Sequence, residues 1–86
     1  MILLTTFEIC QVHEPLNAPA QERTTKGQIE GFDHSSIIRV QKLMYNGGTE
    51  GSRIYVKENG WINVKELMTD VIGAIEHAIR VEFEEA

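Results

Sequence analysis

Residues 36–58 read SIIRVQKLMYNGGTEGSRIYVKE, residues 63–84 read NVKELMTDVIGAIEHAIRVEFE, and the change of apolar period between them decides the fold. In the first stretch Ile38 and Val40 alternate with Arg39 and Gln41, and Ile54 and Val56 alternate with Arg53, Tyr55 and Lys57. A period of two is the signature of half-buried strands, so Ser36 to Tyr45 and Ser52 to Glu58 are expected to form strands. Asn46-Gly47 supplies the positive φ angles of a tight reversal. Residues 36–58 therefore predict an antiparallel hairpin with an enlarged tip over 46–51, and Asn59-Gly60 predicts a second turn leading into Trp61 and Ile62.

In the second stretch Val64, Leu67, Met68, Val71, Ile72, Ile75, Ala78, Ile79 and Phe83 recur at spacings of three and four, which makes one apolar stripe on a helix. Asn63 with Glu66 three residues later has the logic of a capping box, placing the helix over 63–84. A rod over 64–84 is about 31 Å long, comparable with the diameter of so small a domain. Its far end should overhang, leaving Ile75, Ile79 and Phe83 without a partner in the same chain. An exposed apolar stripe marks an interface. Met68, Ile72, Ile75, Ile79 and Phe83 are thus the expected surface of a homodimer or higher oligomer.

Outward from these elements, residues 1–12 mix Ile2, Leu3, Leu4, Phe7, Ile9, Cys10 and Val12 with threonines. Apolar residues on both faces suit a strand flanked on each side. Residues 13–31 change character, with Pro15, Asn17, Pro19, Gln21, Glu22, Arg23, Lys26 and Gly27, and read as a long exposed loop that, with the exposed strand face, is the expected recognition surface. The expectation is a single α+β domain over 1–86, with a small antiparallel sheet of three or four strands and one long C-terminal amphipathic helix.

The 86 residues are 42% hydrophobic and 24% charged, too apolar for a disordered chain and without a run long enough to span a membrane. A compact chain of this length has a radius of gyration of about 12 Å. The net charge of −5 disfavours nonspecific attraction to nucleic acid or anionic membranes, and neither is an expected partner. The opening residues lack the basic and apolar regions of a signal peptide, and one cysteine permits no internal disulfide. Cytoplasmic residence is expected.

Cys10 and His13, three apart on a strand, would point to opposite faces and have no second ligand pair. His13, His34 and His77 lie in separate segments, so no metal or other cofactor is expected. Asp33-His34-Ser35 holds the residue types of a nucleophilic triad, but neighbours in sequence do not assemble its geometry. Glu8, Glu30 and Glu58 suggest no carboxylate pair beyond solvated strand positions. Gly47 to Ser52 resembles a phosphate loop only in its glycines, because a strand follows where that motif requires a helix. No catalytic residues are expected. Tyr45, Tyr55 and Trp61 with Arg39, Lys42, Arg53 and Lys57 offer an aromatic and basic face, the combination that meets anions and flat groups. Arg39, Arg53, Tyr55 and Trp61 are the candidate binding residues. Glu82, Glu84 and Glu85 form an acidic cluster that opposes the helix dipole.

The order Met1-Ile2, Leu4-Thr5, Leu16-Asn17, Ile29-Glu30, Ser36-Ile37-Ile38, Asn46-Gly47, Ile54, Val56-Lys57-Glu58 and a following helix resembles the small flagellar-operon FlbD-like proteins and similar short phage and bacterial reading frames. The resemblance implies a non-enzymatic strand and helix module acting through protein contacts. The expected function is a small binding module that self-associates through its C-terminal helix, engaging a second copy of itself, a protein partner or an anionic small molecule. The alternative is a phage or mobile-element inhibitor that occludes a nucleic-acid-binding enzyme or sequesters an anionic nucleotide signal.

Overall fold

A computed structural model describes residues 1–12, 19–58 and 60–85. The chain forms β1 (Ile2–Phe7), β2 (Ile9–Val12), β3 (Gln21–Thr24), β4 (Gln28–Phe32), a short 3-10 turn (His34–Ser36), β5 (Ile37–Tyr45), β6 (Thr49–Val56), β7 (Gly60–Val64) and α1 (Met68–Glu85). The architecture is α+β. Five antiparallel strands in the order β4-β1-β7-β6-β5 make the main sheet, and β2 pairs with β3 in a second, two-stranded one.

Three or four strands were expected, and the surplus comes from residues 13–31, read above as loop, and from residues 1–12, where one strand was expected and β1 and β2 form. Residues 13–18 lie outside the described set, but β3 and most of β4 fall inside the supposed loop. Four of the five residues of β4 are exposed, so neither strand carries an apolar alternation of its own. Each is a strand because it supplies backbone partners to an apolar neighbour: Leu4 opposes Glu30 and Ile9 opposes Thr24. β1 and β4 continue into β2 and β3 as one bent hairpin. Between the pairs Thr6–Gln28 and Ile9–Thr24, two residues (7–8) face three (25–27), and an extra residue of this kind bends a ladder. Glu8 and Thr25 close the bend through Thr25 N to Glu8 O at 2.9 Å and Glu8 N to Thr25 Oγ1 at 2.8 Å. β1, flanked by β4 and β7, has the central place expected of residues 1–12, but β2 pairs with β3 alone and Leu3 is exposed.

β5, β6 and β7 form a meander. The turn between β5 and β6 is tighter than the enlarged tip expected. β6 starts at Thr49 and pairs it with Tyr45, leaving Asn46, Gly47 and Gly48 as the whole reversal. Asn46 and Gly47 have φ of 51° and 74°. The sheet also curls. A flat five-stranded sheet would hold its edges about 19 Å apart. The link from Phe32 to Ile37, compressed by the 3-10 turn, covers roughly 14 Å. The curl sets Phe32 beside Val56 and Ile62 around a cleft of about 350 Å³.

The helix begins at Met68, five residues later than Asn63. Asn63 and Val64 belong instead to β7, where Val64 pairs with both Thr6 and Ser52. The expected capping box is absent: the Glu66 carboxylate accepts from Thr5 N at 2.7 Å and Thr5 Oγ1 at 2.8 Å. Ser52 Oγ donates to Glu66 O at 2.7 Å. These three bonds fix the corner between β7 and α1. The sequence misleads here because Val64 fits both periods, and its burial in the sheet decides for the strand.

One face of the sheet is covered by α1. Ile2, Leu4, Ile54, Val56, Val64 and Val71 are the buried cluster, with Phe32, Ile37, Val40, Ile62, Ala74, Ile75 and Ala78 packed around it. Ile75 is therefore part of the core, correcting the expectation that it lacked a partner. At about 27 Å, α1 is shorter than the rod expected. The whole chain is longer than a compact one of its size, with a radius of gyration of 15.4 Å and extents of 59 × 24 × 19 Å. No helix among the described residues is long and apolar enough to cross a membrane.

Candidate recognition face

The sheet face turned away from α1 is built from the odd-numbered positions that alternate with the core. Arg39 opposes Tyr55, which opposes Trp61; in the next row Gln41 opposes Arg53, Arg53 opposes Asn63, and Asn63 opposes Phe7. The four residues singled out from sequence, Arg39, Arg53, Tyr55 and Trp61, are thereby neighbours on one surface. The Arg39 guanidinium lies 5.4 Å from the Tyr55 ring centroid and that of Arg53 lies 4.1 Å from the Trp61 ring, arrangements in which ring quadrupole and cation attract. Tyr55 Oη donates to Gln41 Oε1 at 2.9 Å, and Arg53 Nε donates to Asn63 Oδ1 at 3.0 Å.

Asn63 is buried, so its amide is a fixed anchor for Arg53. With Nε held and the plane stacked on Trp61, the two Nη groups remain for an outside acceptor. Among the described residues no carboxylate pairs with Arg39 or Arg53. A planar fork held in this way is the geometry suited to a carboxylate or phosphate. Trp61 is 53% exposed, a large apolar surface beside that fork.

The rest of the expected aromatic and basic set is used elsewhere. Tyr45 is buried against Phe7, ring centroids 4.7 Å apart. The Tyr45 ring sits over Gly51, where a Cβ would lie 2.7 Å from Val64 O and 3.1 Å from that ring. Lys42 pairs with Glu50 at 3.0 Å. Lys57 is exposed in the turn after β6.

A groove of about 760 Å³ runs from this face to the β2–β3 arm. Arg53, Trp61 and Asn63 form its polar end; Phe7, Ile9, Leu43 and Met44 form an apolar wall; Glu8, Gln11 and Glu22 come from the arm. Glu22 also receives the backbone N–H of Asn46, tying the arm to the β5–β6 turn. Sequence reasoning missed Gln41 and Asn63; it named residues 13–31 as a recognition surface but not that Gln21–Thr24 pairs with Ile9–Val12 as an arm beside the groove. The odd-position alternation that placed Arg53 and Tyr55 extends to Gln41 and would have found it, whereas the sequence placed Asn63 at the helix start. β3 left no such signal because it is polar, whereas β2 lies within the apolar stretch 1–12 read as a strand.

The remaining sequence candidates are scattered. Cys10 is exposed on β2 and His13 lies outside the described residues. Asp33 caps the 3-10 turn, its Oδ1 accepting from Ser35 N and Ser35 Oγ, both at 3.0 Å. The backbone bond first, then the hydroxyl, hold this carboxyl below the ordinary aspartate value of 3.8. His34 pairs with Glu82 of α1. Glu30 and Glu58 edge the small cleft beside Phe32, while Glu8 edges the groove. No group of three His, Cys, Asp or Glu converges on a metal-sized site among the described residues.

On α1, Val71, Ala74, Ile75 and Ala78 turn to the sheet, Met68 is half-buried, and Ile72, Ile79 and Phe83 form an exposed flank. Phe83 is 84% exposed. Comparison with known proteins gives no matching family model, no matching curated protein and no matching solved structure.

Proposed function

We propose that this protein is a non-enzymatic binding module of the cytoplasm that recognises acidic segments of protein partners on its uncovered sheet face and self-associates through α1. The observation that carries the reading is the pair of stacked guanidinium groups, Arg39 on Tyr55 and Arg53 on Trp61, side by side with no carboxylate partner among the described residues. Burying neither charge, the fold keeps both oriented, which suits charge-assisted bonds to an anionic partner. The net negative charge of the chain argues for a short acidic segment docking locally rather than for a long polyanion. The exposed Ile72, Ile79 and Phe83 support self-association. The FlbD-like resemblance points to the same class of protein-contact module.

The only tryptophan in the chain lies on the proposed face, so it reports binding directly. Titration with a glutamate-rich peptide should change Trp61 emission in a salt-sensitive manner, and Arg53→Ala should abolish the change. The same titration with a nucleoside triphosphate tests the anionic-nucleotide alternative. A response to the nucleotide alone, lost in Arg39→Ala and Arg53→Ala, selects that alternative; no response to either ligand defeats the recognition reading. Light scattering across the micromolar range tests self-association independently, and a strict monomer removes it.

A further inference from the structure

The groove between the sheet face and the arm has an apolar wall and Arg53, besides Glu8 and Glu22, the latter engaged by the Asn46 N–H; the exposed end of α1 offers Phe83 for the wall and a glutamate for Arg53. We infer that the groove receives the Phe83-bearing end of α1 from a second copy of the chain, with Phe83 against Phe7, Ile9, Leu43 and Met44 and an adjacent glutamate on Arg53. This inference rests on the self-association reading above and specifies the surface that reading uses.

Three observations lead to it. Phe83 is 84% exposed, an unusual position for a phenylalanine, and is flanked by Glu82 and Glu84. The groove, about 760 Å³, is large enough for an aromatic side chain and its neighbours. Its polar end presents Arg53 with Nε fixed by Asn63 and no carboxylate partner among the described residues. An aromatic side chain entering a pocket beside an arginine is the usual make-up of an interface anchor. The contact has to be made in trans. α1 packs on the Ile54 and Val64 face, whereas Arg53, Trp61 and Asn63 face the other way, and Glu82 is tied to His34 on its own chain. A chain's own helix end therefore has the sheet between itself and the groove.

The partner surfaces are different, so the association is heterologous, and it closes into a dimer only if two copies exchange ends. That asymmetry gives the test. Arg53→Ala disables the groove and leaves α1 intact; Phe83→Ala disables the end of α1 and leaves the groove intact. Each variant alone should be monomeric by light scattering, its self-association weakened about thirtyfold, as for loss of an interface anchor. An equimolar mixture should form a 1:1 heterodimer with a shift in Trp61 emission. Glu84→Arg changes an exposed helix position without touching the core and should weaken association of the folded protein by about tenfold. If Arg53→Ala associates as the wild type does while Phe83→Ala does not, helix-to-helix association stands and the groove assignment falls. A mixture that stays monomeric also overturns it. A monomeric wild type at all concentrations removes both readings together.

Discussion

On β6, Ile54 is sealed beneath α1 at 0% exposure, while Arg53, one peptide bond away, lies on the uncovered face stacked on Trp61. The same contrast repeats along β7, where Val64 is fully buried in the core and Asn63 anchors Arg53 from the opposite side. On the covered face, stability comes from apolar area removed from water and from close packing. On the uncovered face, Arg39, Arg53 and Trp61 keep contact with solvent and are held in orientation by aromatic and amide neighbours, while Phe7, Tyr45 and Asn63 on the same side are buried. The first face explains why the chain folds and the second what it presents once folded.

The sharpest way to break the comparison is to truncate both neighbours. Ile54→Ala should cost about 2–5 kcal/mol, the range for a large buried aliphatic reduced to Ala. Arg53→Ala should cost less, about 1–2 kcal/mol, from a partly exposed cation–π pair together with the lost hydrogen bond to Asn63. Urea denaturation of the two variants checks the contrast, and equal losses would erase the distinction between the faces.

Gly51 probes the place where the two faces meet. An added Cβ would press on the Val64 carbonyl and the Tyr45 ring, so Gly51→Ala should destabilise by about 1–3 kcal/mol, the usual cost of overpacking. The Phe7–Tyr45 pair should shift in aromatic NMR spectra. At the corner into α1, Glu66→Ala leaves the Thr5 N–H without its acceptor, a loss of about 1–3 kcal/mol for a partly buried donor. Glu66→Gln, which keeps an acceptor, should recover part of it in the same denaturation assay.

The smallest effect belongs to Asp33. Its carboxyl is held below the ordinary value in the folded state, so it favours folding above about pH 3.8, the unfolded value. That contribution fades as pH falls through 3.8 and on through the lowered folded value. A carbon-detected NMR titration should place the Asp33 midpoint below 3.8, and Ser35→Ala should raise it toward that value by removing the hydroxyl donor.

Much of the uncovered face was legible because strand alternation is local: once Ile54 and Val56 point inward, Arg53 and Tyr55 must point outward. The same rule carries to Gln41 on β5, but not to Asn63, which the sequence placed at the helix start. β3 and β4 were not legible, because they are held by partners remote in sequence and carry little apolar patterning of their own. The helix start failed for a related reason. Val64 fits a helical stripe and a strand equally well, and only its pairing with Thr6 and Ser52 separates the two.

By itself, the sequence determined the α+β class, the hairpin over residues 36–58, the reversal at Asn46-Gly47 and the amphipathic character of α1. These follow from side-chain periods and backbone preferences confined to a few adjacent residues. Tertiary structure alone decided that Ile75 is core, that Glu66 closes onto Thr5, and that a polar arm walls a groove beside Arg53. Each of these depends on contacts between segments far apart in the chain, whose free energy is set by what the rest of the fold places opposite them.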